Sequence, residues 1–182
     1  MPTRRDILRI SGALAVLWLA GPLPPAQAQG RGRIRCEITE NGEAASGTLT
    51  VEAGGREVAS GDCASPVAVP AGQYAVTVQL DGALDRPEQR RQVTIQAGAT
   101  ETVRADFATA VLEVNITAGG RRAAAMATLF KNGARVGTLG SGVAAHVSAG
   151  TYDVVVRYRG VERRFAGVTL ARGQRRTLSA DF

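Results

Sequence analysis

The chain is poor in several residue types, and each scarcity excludes something. It has one histidine, two cysteines, one lysine, and aromatic residues at only 4% of its 182 positions. A lone imidazole, His146, rules out metal sites built from paired histidines and most histidine-based catalytic constellations. Set in a strand just before the Ala149-Gly150 turn, it reads as a structural or surface histidine. The two cysteines, Cys36 and Cys63, are nothing like a Cys-x-x-Cys redox motif in their spacing. Helical periodicity of any length is missing after residue 20. The apolar run from Ile10 to Ala20 has about half of the roughly 20 residues that a membrane crossing needs, so no transmembrane span is expected. Carboxylates are scattered over outward strand positions and turns, with no pair to place on opposite sides of a pocket. Leu139-Gly140-Ser141-Gly142 contains a serine between glycines but lacks the strand-to-helix setting of a nucleophile elbow or phosphate loop, and reads as a turn. The expectation is a protein with no catalytic residue, no cofactor and no metal.

What is present is a duplication. Pro70-Ala71-Gly72-Gln73-Tyr74-Ala75-Val76-Thr77-Val78 returns as Ser148-Ala149-Gly150-Thr151-Tyr152-Asp153-Val154-Val155-Val156. In both, a glycine turn feeds a strand whose Tyr, Val and Val fall on alternate positions, giving one apolar face. At a constant offset Ile38 aligns with Ile116, Gly42 with Gly120, Gly55 with Gly133 and Tyr74 with Tyr152, without a gap. After Gly82 and Gly160 the first copy carries three extra residues within Ala83 to Arg91, and the copies then realign through Ala105-Asp106-Phe107 and Ala180-Asp181-Phe182. A leader and one duplicated unit use up the length, leaving no room for a third domain.

Each copy has turn signals spaced for about seven short strands, as in an immunoglobulin-like or prealbumin-like β-sandwich. Gly54-Gly55 and Asn132-Gly133 occupy the same aligned place, and both accept the positive φ that two-residue hairpins require. Asp81-Gly82, Arg159-Gly160, Gly98 and Gly173 are expected to mark further hairpins. First strands alternate Ile34, Cys36, Ile38 and Leu112, Val114, Ile116, and last strands Val103, Ala105, Phe107 and Leu178, Ala180, Phe182, so both ends of each unit face a core. The sequence thus predicts an all-β protein of two tandem sandwiches, residues 29–107 and 108–182. Ala108-Thr109-Ala110 between them is too short for a linker and should bring the modules into end-to-end contact.

Residues 1–28 read as a leader. A charged start, the apolar run, the Gly21-Pro22 break and Ala26-Gln27-Ala28 fit a secretory signal peptide with a small-x-small cleavage site. Thr3-Arg4-Arg5-Asp6-Ile7-Leu8-Arg9 resembles the bacterial twin-arginine motif, with Ile7 in place of the usual Phe and Arg9 in place of the usual Lys. An ordinary secretory route is the alternative. The mature chain would begin at Gln29 in the periplasm or outside the cell.

The repeated Gly-x-Tyr-x-Val-x-Val segments resemble those of carboxypeptidase-regulatory-like and related bacterial surface repeats. That resemblance covers both copies and implies small Ig-like or prealbumin-like sandwiches serving as accessory, adhesive or spacer modules. It carries over no catalytic residue.

Two features remain as candidate sites. In an exported chain Cys36 and Cys63 are expected to form a disulfide. Their aligned positions, Val114 and Ser141, show that the second copy folds without it. The charge is also lopsided. Residues 29–107 hold eight Arg against 11 acidic residues, a net −3, whereas residues 108–182 hold ten Arg and Lys131 against four, a net +7. Arg157, Arg159, Arg163, Arg164, Arg172, Arg175 and Arg176 crowd the last strands as a candidate anion-binding patch, set against an ordinary solvated face. Strict alternation would turn Arg163 toward the core, so either the register shifts at Gly160 or Arg163 lies at the rim. The expected partners are an unidentified envelope protein, an anionic glycan or lipid, or a second copy bound head to tail. Nucleic acid is not an expected partner, since export would remove the protein from most of it and the patch has only Tyr158 and Phe165 as stacking groups. The functional expectation is an exported, non-enzymatic binding or structural module of the envelope, with a role as accessory subunit of a larger exported protein as an alternative.

Overall fold

A computed structural model describes residues 30–182, and the leader reading of residues 1–28 lies outside the described residues. These residues form strands and turns, with no helix among them. The first copy contains β1 (Arg31–Glu40), β2 (Glu43–Ala44), β3 (Gly47–Ala53), β4 (Arg56–Asp62), β5 (Val67–Pro70), β6 (Gly72–Leu80), β7 (Glu88–Ile95) and β8 (Thr100–Phe107). The second repeats the series as β9 (Thr109–Ala118), β10 (Arg121–Arg122), β11 (Met126–Lys131), β12 (Ala134–Gly140), β13 (Ala144–Ser148), β14 (Gly150–Tyr158), β15 (Val161–Leu170) and β16 (Arg175–Asp181). Setting aside the two-residue β2 and β10, each sandwich has seven strands.

In the first sandwich one sheet runs β4-β3-β6-β7, all antiparallel, and the other is built on β1, with β8 parallel along one edge and β2 and β5 sharing the opposite edge. The second sandwich has the same topology, with β12-β11-β14-β15 facing a sheet built on β9, β10, β13 and the parallel β16. Alternation sets what is buried, because successive side chains on a strand point to opposite faces. Gly32, Ile34, Cys36 and Ile38 are buried, while Arg31, Arg33, Arg35 and Glu37, which alternate with them, are exposed. Each sandwich has its own core, one around Leu49, Val51, Val76 and Val78, the other around Leu112, Leu129, Val154 and Val156.

The repeated tyrosines do the same work in both copies. Tyr74 donates its hydroxyl hydrogen bond to the carbonyl of Pro70 at 2.8 Å, and the Tyr152 hydroxyl lies 2.7 Å from the carbonyl of Ser148. Each buried ring thus fills the core while its polar end ties strand to preceding turn, as in the tyrosine corner of other sandwiches.

The turns divide in a way the glycines alone did not reveal. Gly54-Gly55, Asn132-Gly133 and Arg159-Gly160 all have positive φ at both central residues, the geometry of two-residue hairpins. Gly98 and Gly173 are instead arches, since β7 and β8, and likewise β15 and β16, belong to opposite sheets. A turn residue shows that the chain reverses, not which sheet the next strand joins. Asp81-Gly82 opens a longer loop, residues 81–87, that holds the three extra residues.

Cys36 on β1 and Cys63 after β4 form a disulfide with a Cα–Cα distance of 5.1 Å, joining the two sheets of the first sandwich. At the aligned site of the second, the buried Ser141 Oγ accepts from the Ile116 N–H at 3.0 Å and donates to its carbonyl at 3.2 Å. Two hydrogen bonds there take the place of the covalent link.

Candidate anion-binding surface

The seven arginines singled out in the sequence do not share one face. Arg157 and Arg164 lie on the solvent face of the β12-β11-β14-β15 sheet. Arg157 donates from Nε to Glu162 at 2.8 Å, and Arg164 donates to Asp153 at 2.5 Å. Asp153 also accepts from the Gly167 N–H at 2.9 Å, and this backbone donor together with Arg164 holds its carboxyl below the usual range. Arg159 sits in the β14–β15 turn over the Tyr158 ring. Arg163 pairs with Val156 in the ladder and so is on the core-facing side, but at the rim, exposed over the Phe182 ring. The register is unbroken across Gly160. It shifts between Tyr152 and Val154, opposite Gly167, whose φ is +64°. Arg172, Arg175 and Arg176 lie at the other end of the sandwich, near the first module. Arg172 pairs with Asp106 at 2.8 Å, and Arg176 donates to the Thr169 carbonyl at 2.9 Å.

The end facing the first module is a dense polar junction. Glu40 Oε1 accepts from the Thr109 hydroxyl at 2.5 Å and lies 2.6 Å from His146 Nδ1. Partial burial pushes the Glu40 carboxyl up, but the Thr109 and His146 contacts outweigh it and leave it below its ordinary value. Asn41 pairs with Thr109 through both side-chain amide atoms, each at 3.0 Å. Asp106 is held low by the Thr39 hydroxyl, with Arg172 and the Gly42 N–H adding to it.

The loop 81–87 makes the remaining contacts. The Leu84 N–H donates to the His146 carbonyl at 2.8 Å, and the Leu84 side chain packs against the second core. It sits so close to β12 that a Cβ placed on Gly137 would come within 2.5 Å of it. Asp85, with its side chain 6% exposed, accepts from the Ser148 N–H at 3.0 Å and lies 3.0 Å from the Tyr152 hydroxyl and 3.9 Å from Lys131 Nζ. Burial and the Asp85 charge together push the Tyr152 hydroxyl well above its ordinary value. His146 is therefore a junction residue, bonded through both its ring and its carbonyl.

One surface was missed in the sequence. On the solvent face of the β12-β11-β14-β15 sheet the ladder sets Met126 beside Arg157, Thr128 between Thr138 and Val155, and Phe130 between Arg135 and Asp153. Met126, Thr128, Phe130, Arg135, Val155 and Arg157 line a groove of about 440 Å³. The signal was in the alignment of the copies, because Phe130 and Arg135 stand where the first module has Glu52 and Glu57. Among the described residues, no group of three His, Cys, Asp or Glu side chains is placed to hold a metal ion.

No protein-family model matches the chain, and no curated protein matches it in sequence. Several solved structures resemble its fold. The Bacillus anthracis TIE protein is 15% identical over 84% of this chain and 34% of that one, with a TM-score of 0.41. A Bacteroides thetaiotaomicron protein, provisionally described as polysaccharide binding, is 10% identical over 82% of this chain and 90% of that one, at 0.42. GBS52, the minor pilin of Streptococcus agalactiae, is 12% identical over 84% and 94%, at 0.39. The chain spans about a third of the TIE protein. These are likenesses of architecture at 10–15% identity.

Proposed function

We propose that the protein is an exported, non-enzymatic module of a bacterial cell envelope whose second sandwich binds an anionic polymer. One observation carries this reading. The acidic residues of the first module nearest the second, Glu40, Asp85 and Asp106, are already engaged within the same chain by His146, by Tyr152 and Lys131, and by Arg172. They are not free to draw in a second copy head to tail. Arg121, Arg122, Arg135, Arg159, Arg163, Arg175 and Arg176 have no carboxylate within ion-pair distance among the described residues, so the positive field of the second module points to solvent. Export is supported by the form of residues 1–28 and by the disulfide, which fits an oxidising compartment.

The test is a binding titration of the mature protein on immobilised acidic polymers over a salt series. Exposed charges are screened beyond roughly 8 Å at physiological ionic strength, so affinity should fall steeply as salt rises. Retention that ignores salt, or none at low salt, overturns the proposal. Replacing Arg4 and Arg5 with Lys in the precursor should hold it in the cytoplasm, and unchanged export would remove the twin-arginine route.

A further inference from the structure

Resting on that reading, we propose that the solvent face of the β12-β11-β14-β15 sheet is a binding site for a uronate unit of an acidic polysaccharide. Three features of the face select this chemistry. The first is an apolar stripe, with Met126 52% exposed, Val155 beside Thr128, and Phe130 half-buried in a groove of about 440 Å³, a size common for small-ligand sites. A flat aliphatic and aromatic strip on the open face of a sheet suits the C–H face of a pyranose ring. The second is a set of polar groups at fixed spacing around the stripe. Thr128 and Thr138 are cross-strand neighbours on β11 and β12, and the Arg157 and Arg164 guanidiniums pair with Glu162 and Asp153, leaving their other N–H groups to meet ring hydroxyls. The third is Arg135, directly across the ladder from Phe130 and without a carboxylate partner among the described residues. Its planar fork takes a carboxylate through two parallel hydrogen bonds.

The charge balance favours a uronate over a polyphosphate. Two of the three guanidiniums are already neutralised, so the face offers one free positive charge beside one apolar platform. That matches a polymer with one carboxylate per ring. A phosphate chain carries a charge on every unit, more than the single free guanidinium of Arg135 balances, and it has no apolar face to lay on Phe130.

The first module supplies an internal comparison on the same backbone grid. There Thr48 pairs with Gln79, Thr50 with Thr77 and Ser60, and Glu52 with Glu57. Where the second sheet sets an aromatic ring beside an arginine, the first sets two carboxylates, Glu52, paired with Arg90 at 2.7 Å, and Glu57, and so offers neither the apolar platform nor a free guanidinium at those positions. The duplication has thus been differentiated at the positions that face solvent, while the core positions stayed alike.

The test is calorimetric titration of the mature protein with oligogalacturonate, with its fully methyl-esterified form, and with inorganic polyphosphate. Oligogalacturonate should bind, and esterification should abolish binding. Phe130→Ala, which removes the apolar platform, and Arg135→Gln, which removes a charge-assisted contact, should each weaken binding by about tenfold or more. Thr50→Ala, on the equivalent face of the first module, should not change it. Both site residues are on the surface, so unchanged melting temperatures will show that the variants fold, and Arg135→Lys, which keeps the charge but loses the fork, should recover only part of the affinity. If oligogalacturonate binds equally well to Phe130→Ala and Arg135→Gln, the site is wrong while the broader anion reading stands. Preference for polyphosphate overturns the uronate assignment. If no anion binds at low salt, both proposals fall.

Discussion

Tyr74 and Tyr152 occupy the same place in the two copies and differ in one neighbour. Both close onto a carbonyl four residues earlier, but only Tyr152 also meets a buried carboxylate, Asp85, from the other module. Tyr74→Phe should cost about 1 kcal/mol, the net worth of one hydrogen bond. Tyr152→Phe should cost about 2 kcal/mol or more, because Asp85 loses one of its partners in a site that water barely reaches. Denaturant unfolding of the two variants checks the difference, and equal costs would show that Asp85 gains nothing from Tyr152. Phe130 and Arg135 teach the same lesson at the surface. Their alignment with Glu52 and Glu57 was visible in the sequence, but only the sheet ladder made the two residues cross-strand neighbours lining one groove.

The short elements show how one architecture is held by different means. The disulfide ties β1 to the end of β4 across a sequence separation of 27, whereas Ser141 ties the equivalent pair in the second copy with two hydrogen bonds. Closing a loop of that size is worth about 3 to 4 kcal/mol in the chain-entropy account. Reduction, or a Cys36→Ala and Cys63→Ala double variant, should therefore lower the stability of the first sandwich by that order, read by hydrogen exchange in β1 and β4. Unaltered exchange there would show that the bridge is dispensable. The loop 81–87 is the other distinguishing element. Its three extra residues appear in the sequence only as a length difference between the copies, and in the structure the loop is the clasp between modules. Leu84→Ala should cost about 2 kcal/mol of unfolding free energy through lost packing against the second core.

At the scale of the whole molecule the junction determines how the two sandwiches behave together. Glu40 and Asp106 sit below their ordinary carboxyl values because the folded chain stabilises their charged forms. For such depressed groups the stabilisation is complete above the unfolded carboxyl range and is lost as pH falls through the folded values. Docking of the modules should therefore hold at neutral pH and loosen below about pH 4. Small-angle scattering of residues 30–182 would show this as a larger radius of gyration at acid pH with both sandwiches still folded. A radius unchanged down to pH 2 would mean that Leu84 and the buried Asp85 hold the junction without those charges. A rigid pair would also present the groove on the β12-β11-β14-β15 sheet in one orientation relative to the first module.

The sequence by itself determined the duplication, the all-β architecture, the core-facing residues and the hairpins at Gly54-Gly55, Asn132-Gly133 and Arg159-Gly160. All of these follow from local rules, the period-two alternation of strands and the positive φ of short turns, which any stretch of chain carries within itself. It also singled out Cys36 and Cys63, the two cysteines of the chain, whose spacing fits no redox motif. Only the tertiary structure decided that Gly98 and Gly173 are arches, that Arg163 lies at the rim beyond a register shift opposite Gly167, that the seven arginines divide between two ends, and that His146 and Asp85 belong to a junction. Each of these depends on which sheet a strand joins, where a ladder shifts register, or which residues meet across 60 or more positions of chain. Such contacts are fixed by the packing of whole sheets, and no local pattern encodes them.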